Sequence, residues 1–196
     1  MTGKRMLDVV GAAAGLVLAA FPMLLIAFAI RATMGAPVLY RHQRTGRDGV
    51  HFEMLKFRTM ELPAPHDQRS STERITGLGR QLRSLSLDEL PQLVNVLRGD
   101  MSLVGPRPLL PDYDSLYTPE QRRRFEVRPG ITGLAQISGR SKLAWTKKFA
   151  FDVAYVDELS LVNDIRILGQ TMSRVTNRSS TVADGDAIQE RFDGTN

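Results

Sequence analysis

Val9 to Ile30 is an uncharged run of 22 residues, VVGAAAGLVLAAFPMLLIAFAI, and beyond it the polar pattern changes period several times. As one straight helix the run reaches about 33 Å, enough for a bilayer core. Within Pro37–Met60, PVLYRHQRTGRDGVHFEMLKFRTM predicts two short strands with Asp48-Gly49 as the turn between them. Glu61–Arg74 is polar, is broken by Pro63 and Pro65, and predicts a loop. A helix is expected from about Leu87 to Leu97, closed by Gly99. Val127–Arg140, VRPGITGLAQISGR, reads as glycine-punctuated loop or strand. Two amphipathic helices follow. Trp145, Phe149, Val153 and Val156 share one face, and Leu161, Ile165, Leu168, Met172 and Val175 share another. Such stripes ordinarily pack a core, although Trp145 beside Lys147 and Lys148 would also suit a membrane interface. Periodicity ends after Thr176.

The apolar run admits three fates. A cleaved leader fits Lys4, Arg5 and the Ala27-Phe28-Ala29 triplet, but its apolar core should be only about 7–15 residues. A single span fits the length. A re-entrant hairpin fits two further features. Pro22 removes a backbone hydrogen bond inside the run. Lys4 and Arg5 precede the run while Arg31, Arg41, Arg44 and Arg47 follow it. Basic flanks prefer the cytoplasmic face, and only a hairpin keeps both flanks there. Proline is tolerated in true spans as well, so on physical grounds span and hairpin both stand.

With 196 residues the chain can bury a real core. The net charge of +5 suits an anionic partner, and the absence of cysteine excludes disulfides and thiolate chemistry. The chemistry-bearing residues concentrate in LDELPQLVNVLRGDMSLVGPRP, Leu87–Pro108. Ser86-Leu87-Asp88-Glu89 matches a capping box, which would make both acids ordinary helix-start residues. Pro91 disturbs that picture, because it cannot donate to the Leu87 carbonyl. Arg80, Arg83, Arg98 and Arg107 lie near the acids in sequence, and Arg107 stands between two prolines, as a phosphate fork would. Lys56 and Arg58, two apart at the end of the second strand, would project to one face. Carboxylates amid such cations can share Mg²⁺ with substrate phosphates.

The segments KRMLDVV, KFRTM, RSLSLDELPQLVNVLRGDMSLVGPRP, VRPGITGLAQISGR and FDVAYV, in this order, make the chain resemble the small monotopic phosphoglycosyltransferases. These are bacterial initiating sugar transferases, typified by phosphoglycosyltransferase C of bacterial N-glycosylation. The resemblance implies an α+β, mainly helical fold, with a re-entrant membrane helix-hairpin over residues 1–34. A cytoplasmic catalytic domain would occupy 35–196, with a short β-hairpin and interfacial amphipathic helices. It implies transfer of a sugar-1-phosphate from a UDP-sugar to polyprenyl phosphate, at the cytoplasmic face of the bacterial inner membrane. Membrane lipid and downstream glycosyltransferases are the implied partners, nucleic acid is not, and Mg²⁺ is the implied cofactor. Asp88 becomes the nucleophile and Mg²⁺ contact, and Glu89 its partner acid. Lys56, Arg58, Arg83, Arg107, Arg140 and Asp164 become substrate-binding residues, and Pro22 the membrane break. The family's break is a Ser-Pro pair; residue 21 here is Phe. The competing class is a non-enzymatic, membrane-anchored basic module for anionic lipid or nucleic acid, which would need neither acid and would bind in a steeply salt-dependent way.

Overall fold

The computed structural model describes residues 2–63, 67–70, 72–139, 143–176 and 191–194. Its elements in order are α1 (Thr2–Met34), β1 (Leu39–Thr45), β2 (His51–Phe57), α2 (Gly77–Ser84), α3 (Gln92–Arg98), β3 (Ser102–Val104), α4 (Pro119–Arg122), β4 (Gly130–Thr132), α5 (Leu134–Ser138), α6 (Trp145–Asp157) and α7 (Leu161–Thr176). The fold is mainly helical with a short antiparallel hairpin. β1 pairs with β2 from Leu39 opposite Phe57 to Thr45 opposite His51. Asp48 and Gly49 both take positive φ in the connecting turn, as the Asp-Gly pair predicts.

α1 is long and apolar enough to cross a membrane. It is one unbroken helix that runs through Pro22, which corrects the expected helix-break-helix at that residue. Proline deletes a single bond there, and the Ala, Leu and Met residues around it are strong helix formers that carry the helix past the gap. One face of α1 lies on the rest of the chain. Ala12 packs with Met54, Val96 and Met101; Ile30 packs with Phe57 and Leu82. The opposite face exposes Val10, Val17, Phe21, Leu24 and Phe28, a three-to-four-residue repeat.

Both ends of α1 are fastened to the same body. At the start, Lys4 Nζ donates to Asp164 Oδ2 at 2.7 Å, to the Tyr155 hydroxyl at 3.0 Å and to the Val104 carbonyl at 3.0 Å. Arg5 donates to the Val96 and Leu97 carbonyls and so caps the C-terminus of α3. Buried Asp8 accepts from the Ser102 hydroxyl and the Leu103 amide, both at 2.9 Å. At the far end, Arg58 donates to the carbonyls of Met34, Gly35 and Ala36.

α7 departs from its expected orientation. Leu161, Ile165 and Met172 of the stripe are exposed, while Leu168 packs on the core beside buried Ile167, and Asp164 is buried as well. The Lys4 ammonium and the Tyr155 hydroxyl draw Asp164 inward and thereby turn the apolar stripe out. Leu161 and Ile165 then meet Gly3, Met6, Leu7 and Val10 of α1 in a shallow apolar cleft, so the two exposed faces are continuous. The α6 stripe does pack a core. Trp145 stacks on Phe149 at 5.7 Å and sits in a cluster with Tyr113, Tyr117 and Phe192, which settles it as core and not interface.

A second sheet, β3 parallel to β4, was not legible in the sequence. Its glycines are there for close approach. A Cβ on Gly130 would stand 2.1 Å from the Gly105 amide nitrogen and 2.4 Å from the Thr132 carbonyl oxygen. The Gly130 amide bonds the Pro106 carbonyl at 2.9 Å, which holds the start of the Pro-Arg-Pro segment on β4.

Two glycine substitutions should therefore act in opposite directions. Gly130→Ala should destabilise by about 3 kcal/mol through overpacking. Gly169→Ala, at an exposed helical position with open space around it, should stabilise by about 0.5–1 kcal/mol. Denaturation midpoints measured in one detergent would check both; an unchanged midpoint for Gly130→Ala would refute the close-approach account.

Candidate active site

The two acids sit in a one-turn 3-10 helix, Leu87–Glu89, ahead of α3. The capping box is not formed. Ser86 is in the left-handed region at φ 55°, and its hydroxyl makes no cap bond. Pro91 explains part of this: the Leu87 carbonyl accepts instead from the Leu90 amide at 3.3 Å, an i to i+3 bond. A non-glycine residue held at positive φ costs roughly 1 kcal/mol and persists only where surrounding contacts enforce it. Here the enforcing contacts are those made by Glu89.

Three segments converge on Glu89. Its Oε1 accepts from Lys56 Nζ at 2.6 Å and from Arg107 Nη2 at 2.6 Å. Lys56 is brought there by Asn95. That fully buried side chain accepts from the Leu55 amide at 3.0 Å and donates to the Glu53 carbonyl at 2.7 Å. α3 thus borrows the outer edge of β2 and sets Lys56 above the acid turn. Arg107 is placed from the other side. Its own carbonyl accepts from Arg124 Nη2 at 2.6 Å, and buried Arg124 pairs with buried Asp152 at 2.9 Å. Burial alone would raise the Glu89 carboxyl, but Arg107 and Lys56 overcome it and hold Glu89 well below the usual carboxylate range. Glu89 is a fully committed anion.

Asp88 differs. It is 7% exposed, and its side chain makes no hydrogen bond among the described residues. Its ion-pair partner there is Lys56, at 3.9 Å. Burial raises its carboxyl above the ordinary value, with Lys56 opposing. An uncommitted carboxylate beside cations can attack an electrophile or ligate a hard cation. Among the described residues no three His, Asp or Glu side chains form a metal cage. Mg²⁺ commonly binds through one or two carboxylates with phosphates completing its shell, so the Asp88 donor fits that ion only together with an anionic substrate.

The remaining expected residues divide. Arg83 belongs here: its Nε donates to Thr59 Oγ1 at 3.0 Å, and its charge lowers the Asp88 carboxyl. Arg58 does not. β2 ends at Phe57, the alternation with Lys56 is lost, and the 3%-exposed Arg58 side chain caps α1. Asp164 is likewise taken out of the substrate-binding set, since it is buried under Lys4 and Tyr155 as an anchor of α1. Arg140 lies outside the described residues. Arg80 and Arg98 are exposed at the surface. The sequence reading passed over two side chains on the Lys56 face of the hairpin. Tyr40 is opposite Lys56, and His42 and Arg44 follow it at alternate positions. That two-residue period was the available signal.

Comparison with known proteins points to a family. The family described as "Bacterial sugar transferase" matches residues 1–178. The chain is 44% identical to an uncharacterized sugar transferase, EpsL, of Bacillus subtilis, over 98% of this chain and 96% of that protein. It is 43% identical to a UDP-glucose:undecaprenyl-phosphate glucose-1-phosphate transferase of Caulobacter vibrioides, over 86% and 68%. It is 38% identical to an undecaprenyl-phosphate galactose phosphotransferase of Salmonella typhimurium, over 89% of this chain and 40% of that longer protein.

The unequal commitments of the two acids predict unequal stability effects. Glu89→Gln leaves Lys56 and Arg107 facing each other without their shared anion and should destabilise by about 2 kcal/mol or more. Asp88→Asn removes a desolvated charge that accepts no hydrogen bond among the described residues, and should leave stability unchanged or raised. Denaturation of both variants at neutral pH would check this; a larger loss for Asp88→Asn would overturn the assignment.

Proposed function

Because this chain belongs to the bacterial sugar transferases, we propose that it moves a sugar-1-phosphate from a UDP-sugar to polyprenyl phosphate, releasing UMP, with Asp88 as a covalent nucleophile. One observation carries the reading: of two adjacent acids, Glu89 is consumed in neutralising Lys56 and Arg107, whereas Asp88 is buried with only a 3.9 Å ion pair to Lys56 and no hydrogen bond among the described residues. In the first step an Asp88 oxygen attacks the β-phosphorus. The bond to the bridging oxygen breaks, and its electron pair leaves on UMP. In the second step an oxygen of the lipid phosphate attacks that phosphorus and expels the Asp88 carboxylate. No proton has to move, since both attacking groups are already anions. Lys56, Arg83 and Arg107 balance the charge of each step. Mg²⁺, when bound through Asp88 and the diphosphate, would supply further neutralisation of the leaving group.

The reaction joins a soluble and a lipid substrate, so the site must sit at a bilayer surface. The double fastening of α1 supports a monotopic seat, with both helix ends on the cytoplasmic side of the inner membrane. A perpendicular span would carry Lys4 and Arg58 to opposite faces, yet both bind α1 to one body. The exposed apolar faces of α1 and α7 are then the surface that enters the lipid. Undecaprenyl phosphate as acceptor is supported by the names of the Caulobacter and Salmonella relatives.

Two measurements test this. UMP should appear in a stoichiometric burst when a UDP-sugar is mixed with the protein before any acceptor is added, together with a sugar-phosphate mass on Asp88. Asp88→Asn should show neither; no burst from the wild type, or substantial turnover by Asp88→Asn, would refute the covalent route. For the seat, cysteines at Thr2 and at Thr33 should both be shielded from a membrane-impermeant thiol reagent in intact cells. Labelling at one end alone would establish a span.

A further inference from the structure

The site holds an arginine that the steps above do not use. Arg44, on β1, reaches back along its strand so that Nη2 lies 3.2 Å from His42 Nδ1. Its buried Nε has no partner among the described residues. It pairs with no carboxylate among the described residues, although the Arg107 and Glu89 charges both act on it. Burial, and after it Arg107, hold Arg44 below the ordinary arginine value. The Thr45 amide donates to the Leu109 carbonyl at 3.1 Å, which ties the Arg44 end of β1 to the segment that carries Arg107. A guanidinium there with a buried donor unused among the described residues is an arrangement that an anion would complete. His42 is built to hold it. Burial, then Arg44, then Lys56 lower the imidazole below its usual value, with Asp112 opposing, so the ring stays neutral and Nδ1 can accept. Arg107 gives only Nη2 to Glu89, and its side chain is 43% exposed. Its remaining donors are free to take an anion as well.

From this geometry we infer that Arg44, oriented by His42 and flanked by Arg107, is the seat of a phosphomonoester, occupied in turn by the phosphate of UMP and by the phosphate of the lipid acceptor. The inference rests on the transferase reading in one respect, the order of occupation. In-line displacement puts the attacking and leaving oxygens on opposite sides of the phosphorus. With Asp88 on one side in both steps, the departing UMP phosphate and the later-attacking lipid phosphate must share the other. Arg44, which pairs with no carboxylate among the described residues, suits that position beside the exposed edge of Arg107, because each occupant carries a phosphate dianion or monoanion and neither brings its own cation. Arg44 is thus a binding residue and His42 a positioning residue.

Equilibrium binding of UMP to the full chain in detergent, followed by calorimetry, tests the seat without turnover. UMP affinity should fall about tenfold or more in Arg44→Gln. It should fall by less in Arg44→Lys, which keeps charge but loses the fork, and in His42→Ala, which keeps the fork but releases it. Polyprenyl phosphate should compete with UMP for the wild-type protein. Unchanged UMP affinity in Arg44→Gln, or simultaneous binding of the two ligands, would overturn the proposal. Should Arg44→Gln not fold, normal UMP affinity in Arg44→Lys and His42→Ala together would overturn it equally. Turnover is read in a separate assay, so a wild type that binds UMP through Arg44 yet releases none from any UDP-sugar would sink the transferase reading while supporting the seat.

Discussion

A single carboxylate oxygen, Glu89 Oε1, accepts from two cations that arrive on different segments, Lys56 from β2 and Arg107 from the loop after β3. Two positive groups this close repel strongly in a low-dielectric pocket. They remain together because one anion satisfies both, and the geometry that satisfies both leaves little freedom to any of the three. The 3-10 turn at Leu87–Glu89 and the positive φ at Ser86 follow from that demand. The same demand sets Asp88 3.9 Å from Lys56, with no hydrogen bond of its own among the described residues. One acid organises the cations of the site, and its neighbour stays uncommitted to any hydrogen bond among the described residues.

Such sharing is weak support for stability and better support for specificity of arrangement, since a buried ion cluster is worth little over a well-packed apolar one. The neighbouring contacts bear this out. Arg124 spends a buried ion pair with Asp152 on holding one backbone carbonyl, that of Arg107. Asn95, fully buried, spends its amide on the open edge of β2. Neither arrangement adds much apolar burial. Each fixes the position of a charge.

What the sequence made legible depended on whether the signal was local. The Asp48-Gly49 hairpin and the αL stop at Gly99 are turn chemistry, complete within a few residues, and both are found. The capping box was a local signal too, and it failed because Glu89 had stronger partners 33 and 18 residues away. Arg58 looked like a member of the site by strand alternation, but three free carbonyls at the end of α1 outcompeted it. The outward turn of the α7 stripe required knowing that Lys4 would find Asp164 across 160 residues. The β3–β4 pairing hid behind glycines whose purpose is contact between distant backbones. The acid pair and Arg107 were identified correctly as neighbours through the family resemblance, whereas His42 and Arg44 were recoverable only once the hairpin register was known.

The anchor and the site are built from the same short segments, alternately. Lys56 faces Glu89, and two residues later Arg58 grips the end of α1. Arg107 reaches Glu89, and three residues earlier the Val104 carbonyl receives Lys4. α3 carries the acids at its leading end and is capped at its trailing end by Arg5 of α1. The apolar helix packs directly on the segments that carry the cations and carboxylates, so the height of Asp88 above the exposed apolar face of α1 is fixed by packing and not by tether length. A soluble tethered enzyme would have to search for a phosphate held at the headgroup level. Here the interleaving makes the search unnecessary, because the folding that buries Ile30 and Ala12 against the body is the same folding that brings Lys56 and Arg107 onto one oxygen.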